Sequence, residues 1–259
     1  MHKKAKDVTS DESRQGETMT GKVAIVTGGT RGIGGAISMA LYEHGYKVAA
    51  NFGGNEEAAA KFTDVTGIPS YRFDVGDFAA VQENVAQIES DLGPCEVLVN
   101  NAGITRDGVL HKMSFEHWDD VIRTNLTSCF NLCRAVFPGM RERNFGRIVN
   151  IGSVNGQAGQ YGQVNYADAK SGIHGFTKAL AQEGARYNIT VNAVAPGYVN
   201  TDMVRAVPEK VLEKIIRGIP VGRLGETNDI LRGVLFLVAD EAEFITGSTM
   251  SINGGQHMY

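Results

Sequence analysis

The chain has 259 residues, 42% of them hydrophobic, a formal net charge of −4 and a sequence pI near 5.9. A single α/β domain of that length can fill a large core, and the lack of basic excess excludes strong binding to a nucleic-acid backbone. Cys95, Cys129 and Cys133 offer neither paired spacings nor a metal-ligand pattern, so free thiols in a reducing cytoplasm, and no metal, are expected.

In chain order, residues 1–20 mix Lys3, Lys4, Asp7, Glu12 and Arg14 with almost nothing apolar. Such a segment cannot offset its ordering entropy, and a disordered tail is expected. It lacks the apolar stretch of a secretory signal, and the longest later apolar run, 234–239, is too short to cross a bilayer, so no membrane association is expected. Residues 21–259 read as one domain. Apolar runs predict strands over 23–26, 47–50, 71–73, 97–99, 147–151, 190–194 and 249–252. Amphipathic patterns predict helices between them, over 33–44, 56–66, 78–92, 115–143, 165–187 and 228–239. Val- and Ile-rich strands without polar alternation are covered by helices on both faces. The alternation predicts a doubly wound, mostly parallel, seven-stranded sheet flanked by helices. Residues 197–226, with two prolines and four glycines around a helical pattern over 209–217, are expected to form a lid beside a strand's carboxyl end.

Two motifs carry chemistry. Gly28, Gly32 and Gly34 follow the first strand and open a helix. Glycines there permit a tight turn and close backbone approach, and the helix start presents free N–H groups to a pyrophosphate; the alternative is a plain flexible turn. An acidic residue at the end of the second strand would hold the ribose hydroxyls of NAD, but the strand runs out as Asn51-Phe52-Gly53-Gly54-Asn55. Arg31, inside the turn, places a cation where the extra phosphate of NADP would lie, so NADPH is expected; with Arg31 in solvent, NADH serves instead.

Far downstream stand Ser153, Tyr166 and Lys170. A phenol near pKa 10 needs a positive neighbour to act as an acid near neutrality, and Lys170, one helical turn on, shares its face. Ser153 can hydrogen-bond a carbonyl oxygen as its charge grows. The alternative makes Tyr166 and Lys170 a solvated helix face. His111, His117 and His174 match no zinc spacing and are expected to serve packing or the surface.

The order Gly-x-x-x-Gly-x-Gly, Asp74-Val75, Asn100-Asn101-Ala102-Gly103, Asn125, Ser153, Tyr166-x-x-x-Lys170 and Pro196-Gly197 resembles the short-chain dehydrogenase/reductase family over nearly the whole chain after residue 20. The resemblance implies a Rossmann-type fold. It implies a dinucleotide site formed by Gly28, Thr30, Arg31, Gly32, Ile33, Gly34, Asn51, Phe52, Gly53, Asp74, Val75, Asn101, Ala102, Gly103, Tyr166, Lys170, Pro196, Gly197, Val199 and Thr201. Asp74 could instead cap the following helix, and Pro196-Gly197 could be an ordinary turn. Ser153, Tyr166 and Lys170 would be catalytic, with Asn125 organising a water that leads protons to Lys170. Loss of the tyrosine or lysine would have pointed to a dinucleotide-sensing protein; both are present.

The loop from Ser153 to Tyr166, with Gln157, Gln160 and Gln163, resembles the branch that reduces acetoacetyl-CoA to the (R)-3-hydroxyacyl product for polyhydroxybutyrate synthesis; the branch acting on carrier-protein thioesters is next. The ending Asn253-Gly254-Gly255-Gln256-His257-Met258 leans the same way, and Gly152 departs from the serine usual there. By that resemblance Asp107, Lys112, Ser153, Gln160, Tyr161, Gln163, Tyr166 and Tyr198 would contact an acyl-CoA substrate. The 165–187 helix and the terminal strand would build a homotetramer.

Overall fold

A computed structural model of the protein describes residues 21–205 and 207–258; the expected tail over residues 1–20 lies outside them. β1 (Val23–Val26) leads into α1 (Gly32–Glu43), β2 (Lys47–Phe52) into α2 (Glu56–Thr66), and β3 (Ser70–Arg72) into α3 (Phe78–Leu92). β4 (Cys95–Asn100) is followed by α4 (Phe115–Ile122) and α5 (Ser128–Arg143), and β5 (Gly146–Ile151) by α6 (Val154–Ala158) and α7 (Val164–Gly184). β6 (Ile189–Pro196) continues through α8 (Asp202–Arg205), α9 (Glu209–Arg217) and α10 (Thr227–Val238) to β7 (Thr249–Ile252).

The strands form one sheet in the order β3-β2-β1-β4-β5-β6-β7. Each strand pairing is parallel, so the expected "mostly parallel" sheet is wholly so. The strands bury both faces, and alternate residues enter different cores. Ala24, Val26, Val97, Val99 and Val149 join Ile37 and Leu41 of α1 and Ile230, Val234 and Leu237 of α10. Ile25, Leu98 and Ile148 join Val81, Val85 and Ile88 of α3 and Leu132, Val136 and Met140 of α5. This is why the strands read as unbroken apolar runs. Chain order reverses between β1 and β4, which opens a crevice at the carboxyl ends of those strands.

Three local features depart from the sequence pattern. The helix expected over 115–143 is divided by a π turn, Arg123–Thr127. A short helix, α6, occupies part of the segment after Ser153, because the Ser153 hydroxyl accepts the Asn155 N–H at 3.1 Å and caps it. Within 197–226, α8 precedes the expected helix α9, whose bounds match the pattern.

Candidate active site

The crevice is a cleft of about 960 Å³, and all twenty residues named for the dinucleotide line it. Its floor is the start of α1. Arg31 precedes that helix in extended geometry, no side chain caps it, and its first turn holds no acidic residue. By contrast, Asn55, Asp77 and Ser114 cap α2, α3 and α4. Uncapped amides and a positive helix end suit a pyrophosphate. Gly28 and Gly32 adopt φ of 59° and 56°, left-handed values that favour glycine. A Cβ on Gly34 would collide with the Gly28 carbonyl and the Asn101 amide, so the turn is compressed to main-chain contact.

Buried polar groups hold that turn from behind. Asn51 accepts the Gly28 N–H at 3.3 Å and donates to the Phe73 carbonyl at 3.0 Å. The sequence pattern places Asn51 beside the ribose; the structure turns its amide inward to brace the glycine turn. Thr27, which the sequence reading passed over, accepts the N–H groups of Asn101 and Ala102 at 2.9 and 3.0 Å and ties the end of β1 to the segment after β4. The only sequence signal for it was a hydroxyl residue at the strand end. Asp74 accepts the Gly76 N–H and pairs with Arg123 at 2.9 Å. The α3 cap belongs to Asp77, which removes the capping alternative for Asp74.

On the opposite wall α7 brings Tyr166 and Lys170 to Ser153 at the end of β5. Lys170 is buried, and its Nζ donates to the Ile151 carbonyl at 2.7 Å. Desolvation lowers its ammonium to about 8, with Cys129 pulling the other way. Burial pushes the Tyr166 phenol up, the Ser153 hydrogen bond pulls it down, and Asp107 and Tyr198 add to the rise. The expectation that Lys170 depresses this phenol directly is therefore corrected for the protein by itself. Nζ is held by Ile151 and stands 5.8 Å from the ring centroid, so desolvation dominates. Ser153 accepts the Asn155 N–H, which leaves its own proton available to donate.

Asn125 does not line the cleft. It is buried in the π turn, where its side chain accepts the Ile104 N–H at 2.8 Å and donates to the Ile104 carbonyl at 2.9 Å. Gly103 separates it from Lys170: a Cβ there would lie 3.4 Å from Asn125 Oδ1 and 3.6 Å from Lys170 Nζ. The π turn is the local device that aims this amide at the loop after β4.

Comparison with known proteins agrees with this geometry. A family model described as short chain dehydrogenase matches residues 22–212. The chain belongs to the short-chain dehydrogenase family. As a member it is an oxidoreductase that works with a nicotinamide dinucleotide. An acetoacetyl-CoA reductase of Shinella zoogloeoides is 62% identical over 236 residues, covering 91% of this chain and 98% of that protein. One of Rhizobium meliloti is 61% identical over 237 residues with the same coverage. A 3-oxoacyl-[acyl-carrier-protein] reductase of Escherichia coli is 45% identical over 240 residues, covering 92% and 98%.

The mouth of this short-chain dehydrogenase divides the expected substrate residues. Asp107, Gln163 and Tyr198 line the cleft with Ser153 and Tyr166. Gln163 donates to Asp107 at 2.9 Å and accepts from Asn155 at 2.9 Å, so the mouth is a linked polar chain. Asn155 was another residue the sequence reading gave no role. Gln160 and Tyr161 lie outside the cleft, in a neighbouring depression of about 400 Å³ with Leu110 and His111. Lys112 is exposed and lines neither space. Gln157 bonds Ser251 of β7 at 3.0 Å, away from the polar chain at the mouth. Among the described residues no helix is long and apolar enough to cross a membrane.

Proposed function

We propose that this protein reduces acetoacetyl-CoA, and short 3-oxoacyl-CoA thioesters generally, to the (R)-3-hydroxyacyl-CoA with NADPH, as a cytoplasmic step of polyhydroxybutyrate synthesis. The observation that carries this reading is the ordering of relatives: two above 60% identity bear the acetoacetyl-CoA name, while the carrier-protein reductase stands at 45%. The uncapped start of α1 and the collision that any side chain at Gly34 would cause support a dinucleotide pyrophosphate there. Arg31, exposed and with no side-chain hydrogen bond or ion pair to a described residue, supports the phosphorylated form of the cofactor.

When bound, the dinucleotide supplies the hydride. The protein's residues handle the oxygen and its proton. Ser153 donates a hydrogen bond to the substrate carbonyl, and Tyr166 gives its proton to the same oxygen as charge develops. A phenol kept protonated by burial is ready in the acid form for reduction. Lys170 holds a positive charge beside the ring below about pH 8, and Asn125 organises the water that returns protons toward it. Asp107, Gln163 and Tyr198 hold the 3-oxoacyl thioester, Gln160 and Tyr161 the adjoining pantetheine arm, and Lys112 a phosphate of CoA. Residues 197–226 close over the mouth as a lid. Four copies assemble through α7 and β7; a monomeric mass by sedimentation equilibrium would remove that element.

The second reading, a carrier-protein reductase, is favoured by the same fold and site at 45% identity. Measuring kcat/KM with acetoacetyl-CoA and with carrier-bound acetoacetyl thioester decides between them. A strong preference for the CoA thioester is expected; preference for the carrier-bound form overturns the first reading.

A further inference from the structure

We infer that Gln256, near the carboxyl terminus, is a positioning residue for the substrate mouth, acting through the main chain of Tyr198. β6 and β7 run side by side until Pro196 meets Ile252, where β7 ends. One further ladder bond forms, Gly197 N–H to the Ile252 carbonyl at 2.9 Å. The adjacent amide, at Tyr198, lies outside that ladder, because amides along a strand alternate in direction. The Gln256 side-chain oxygen takes it, at 3.2 Å. A side chain thus holds an amide that the β6-β7 ladder does not reach.

The chain after β7 is shaped to deliver that oxygen. Asn253 is buried; its side chain accepts the Gly255 N–H at 3.0 Å and donates to the His257 carbonyl at 2.9 Å. Gly254 and Gly255 turn at φ of 61° and 84°, which glycine adopts without strain. Gly197 must also lack a side chain, because a Cβ there would fall 2.6 Å from the Gln256 oxygen and 2.8 Å from Asn253 Cα. On its other side Tyr198 is already fixed, its carbonyl accepting the Gly225 N–H at 2.9 Å. The same terminal turn accepts the Val221 N–H on the Gly254 carbonyl at 3.1 Å. Gln256 therefore clasps the cleft wall at the point where residues 197–226 leave β6 and where Gly225 folds back onto Tyr198. Tyr198 lines the cleft close enough to Tyr166 to influence its ionisation. Release of the amide frees the ring that faces the substrate, while Tyr166, Lys170 and the glycine turn keep their own supports.

The test compares wild type, Gln256→Leu and Gln256→Glu in the full chain. Leucine keeps the size and loses the acceptor; glutamate keeps an acceptor oxygen. Amide hydrogen exchange at Tyr198 should speed up about tenfold in the leucine variant, as expected for loss of one half-buried hydrogen bond, and return toward wild type in the glutamate variant. Resting on the reductase reading above, the KM for acetoacetyl-CoA should rise about tenfold in the leucine variant with kcat and the cofactor KM little changed. Unchanged exchange at Tyr198 overturns the clasp. Faster exchange with an unchanged thioester KM, or a loss spread equally over kcat and both KM values, overturns its role in positioning substrate. If wild type instead prefers the carrier-bound thioester, the function proposed above fails; the KM comparison is then made on that thioester, and the exchange result stands independently.

Discussion

At the end of the cleft proposed for the dinucleotide, the glycine turn presents main chain. Gly28 and Gly34 press against other backbone atoms and Gly32 turns at a left-handed φ, with buried Thr27 and Asn51 bracing the turn from behind. At the end proposed for the substrate the surface is side chain: Asp107 is exposed, Gln163 and Tyr198 are half-buried, and each depends on loop neighbours or on the terminal turn for its place. Groups fixed by main-chain compression tolerate almost no change, whereas groups held by single hydrogen bonds can be retuned individually. One scaffold can thus keep its cofactor site while its substrate mouth varies. Tyr166 stands at the junction of the two ends.

The largest effect should come at that junction. Tyr166→Phe removes the proton donor while leaving the ring in place, and kcat for ketone reduction should fall about a thousandfold. Dinucleotide binding, followed by fluorescence titration, should persist. Reduction near the wild-type rate would end the assignment of Tyr166 as acid.

The main-chain end is broken next by Gly34→Ala. The added methyl meets the Gly28 carbonyl, which is backbone and cannot swing aside. Forcing it in should cost about 1–3 kcal/mol, or roughly five- to a hundred-and-fifty-fold in dinucleotide affinity. The thioester KM measured at saturating cofactor should change far less. Equal losses at both ends would mean that the two halves of the cleft are not separable.

The two ends also differ in how far they could be read from the sequence. The glycine turn was legible because only glycine accepts a left-handed φ and backbone contact, so the constraint is written in residue type. Tyr166 and Lys170 were legible because a helix converts a four-residue spacing into a shared face. The alternating strands were legible because each apolar run serves two cores. The π turn at 123–127 was not, since one extra residue in a turn leaves the helical apolar pattern of its flanks intact. Nor were the roles of Asn51, Thr27 and Asn155: an amide or hydroxyl can face the ligand or the scaffold, and only the distant partners Gly28, Asn101 and Gln163 decide which. The direction of the Tyr166 shift failed for a related reason, because desolvation depends on everything packed around the ring.

The smallest change sharpens the same contrast within the dinucleotide end, where Arg31 sets a charged side chain beside the main-chain turn. Its side chain is exposed at the α1 start, and the end of β2 supplies no carboxylate, since Asn51 is turned inward and Phe52-Gly53 follow. A cation with no acidic competitor should favour a ribose phosphate, but exposure leaves it screened by salt. Arg31→Ala should therefore raise the KM for NADPH only about fivefold at low salt, consistent with one exposed charge-assisted hydrogen bond. The KM for NADH should hardly move, and added salt should shrink the difference between variant and wild type. A variant that loses NADPH and NADH alike would show that Arg31 shapes the turn and does not read the phosphate; wild-type turnover with NADH as fast as with NADPH would remove the preference itself.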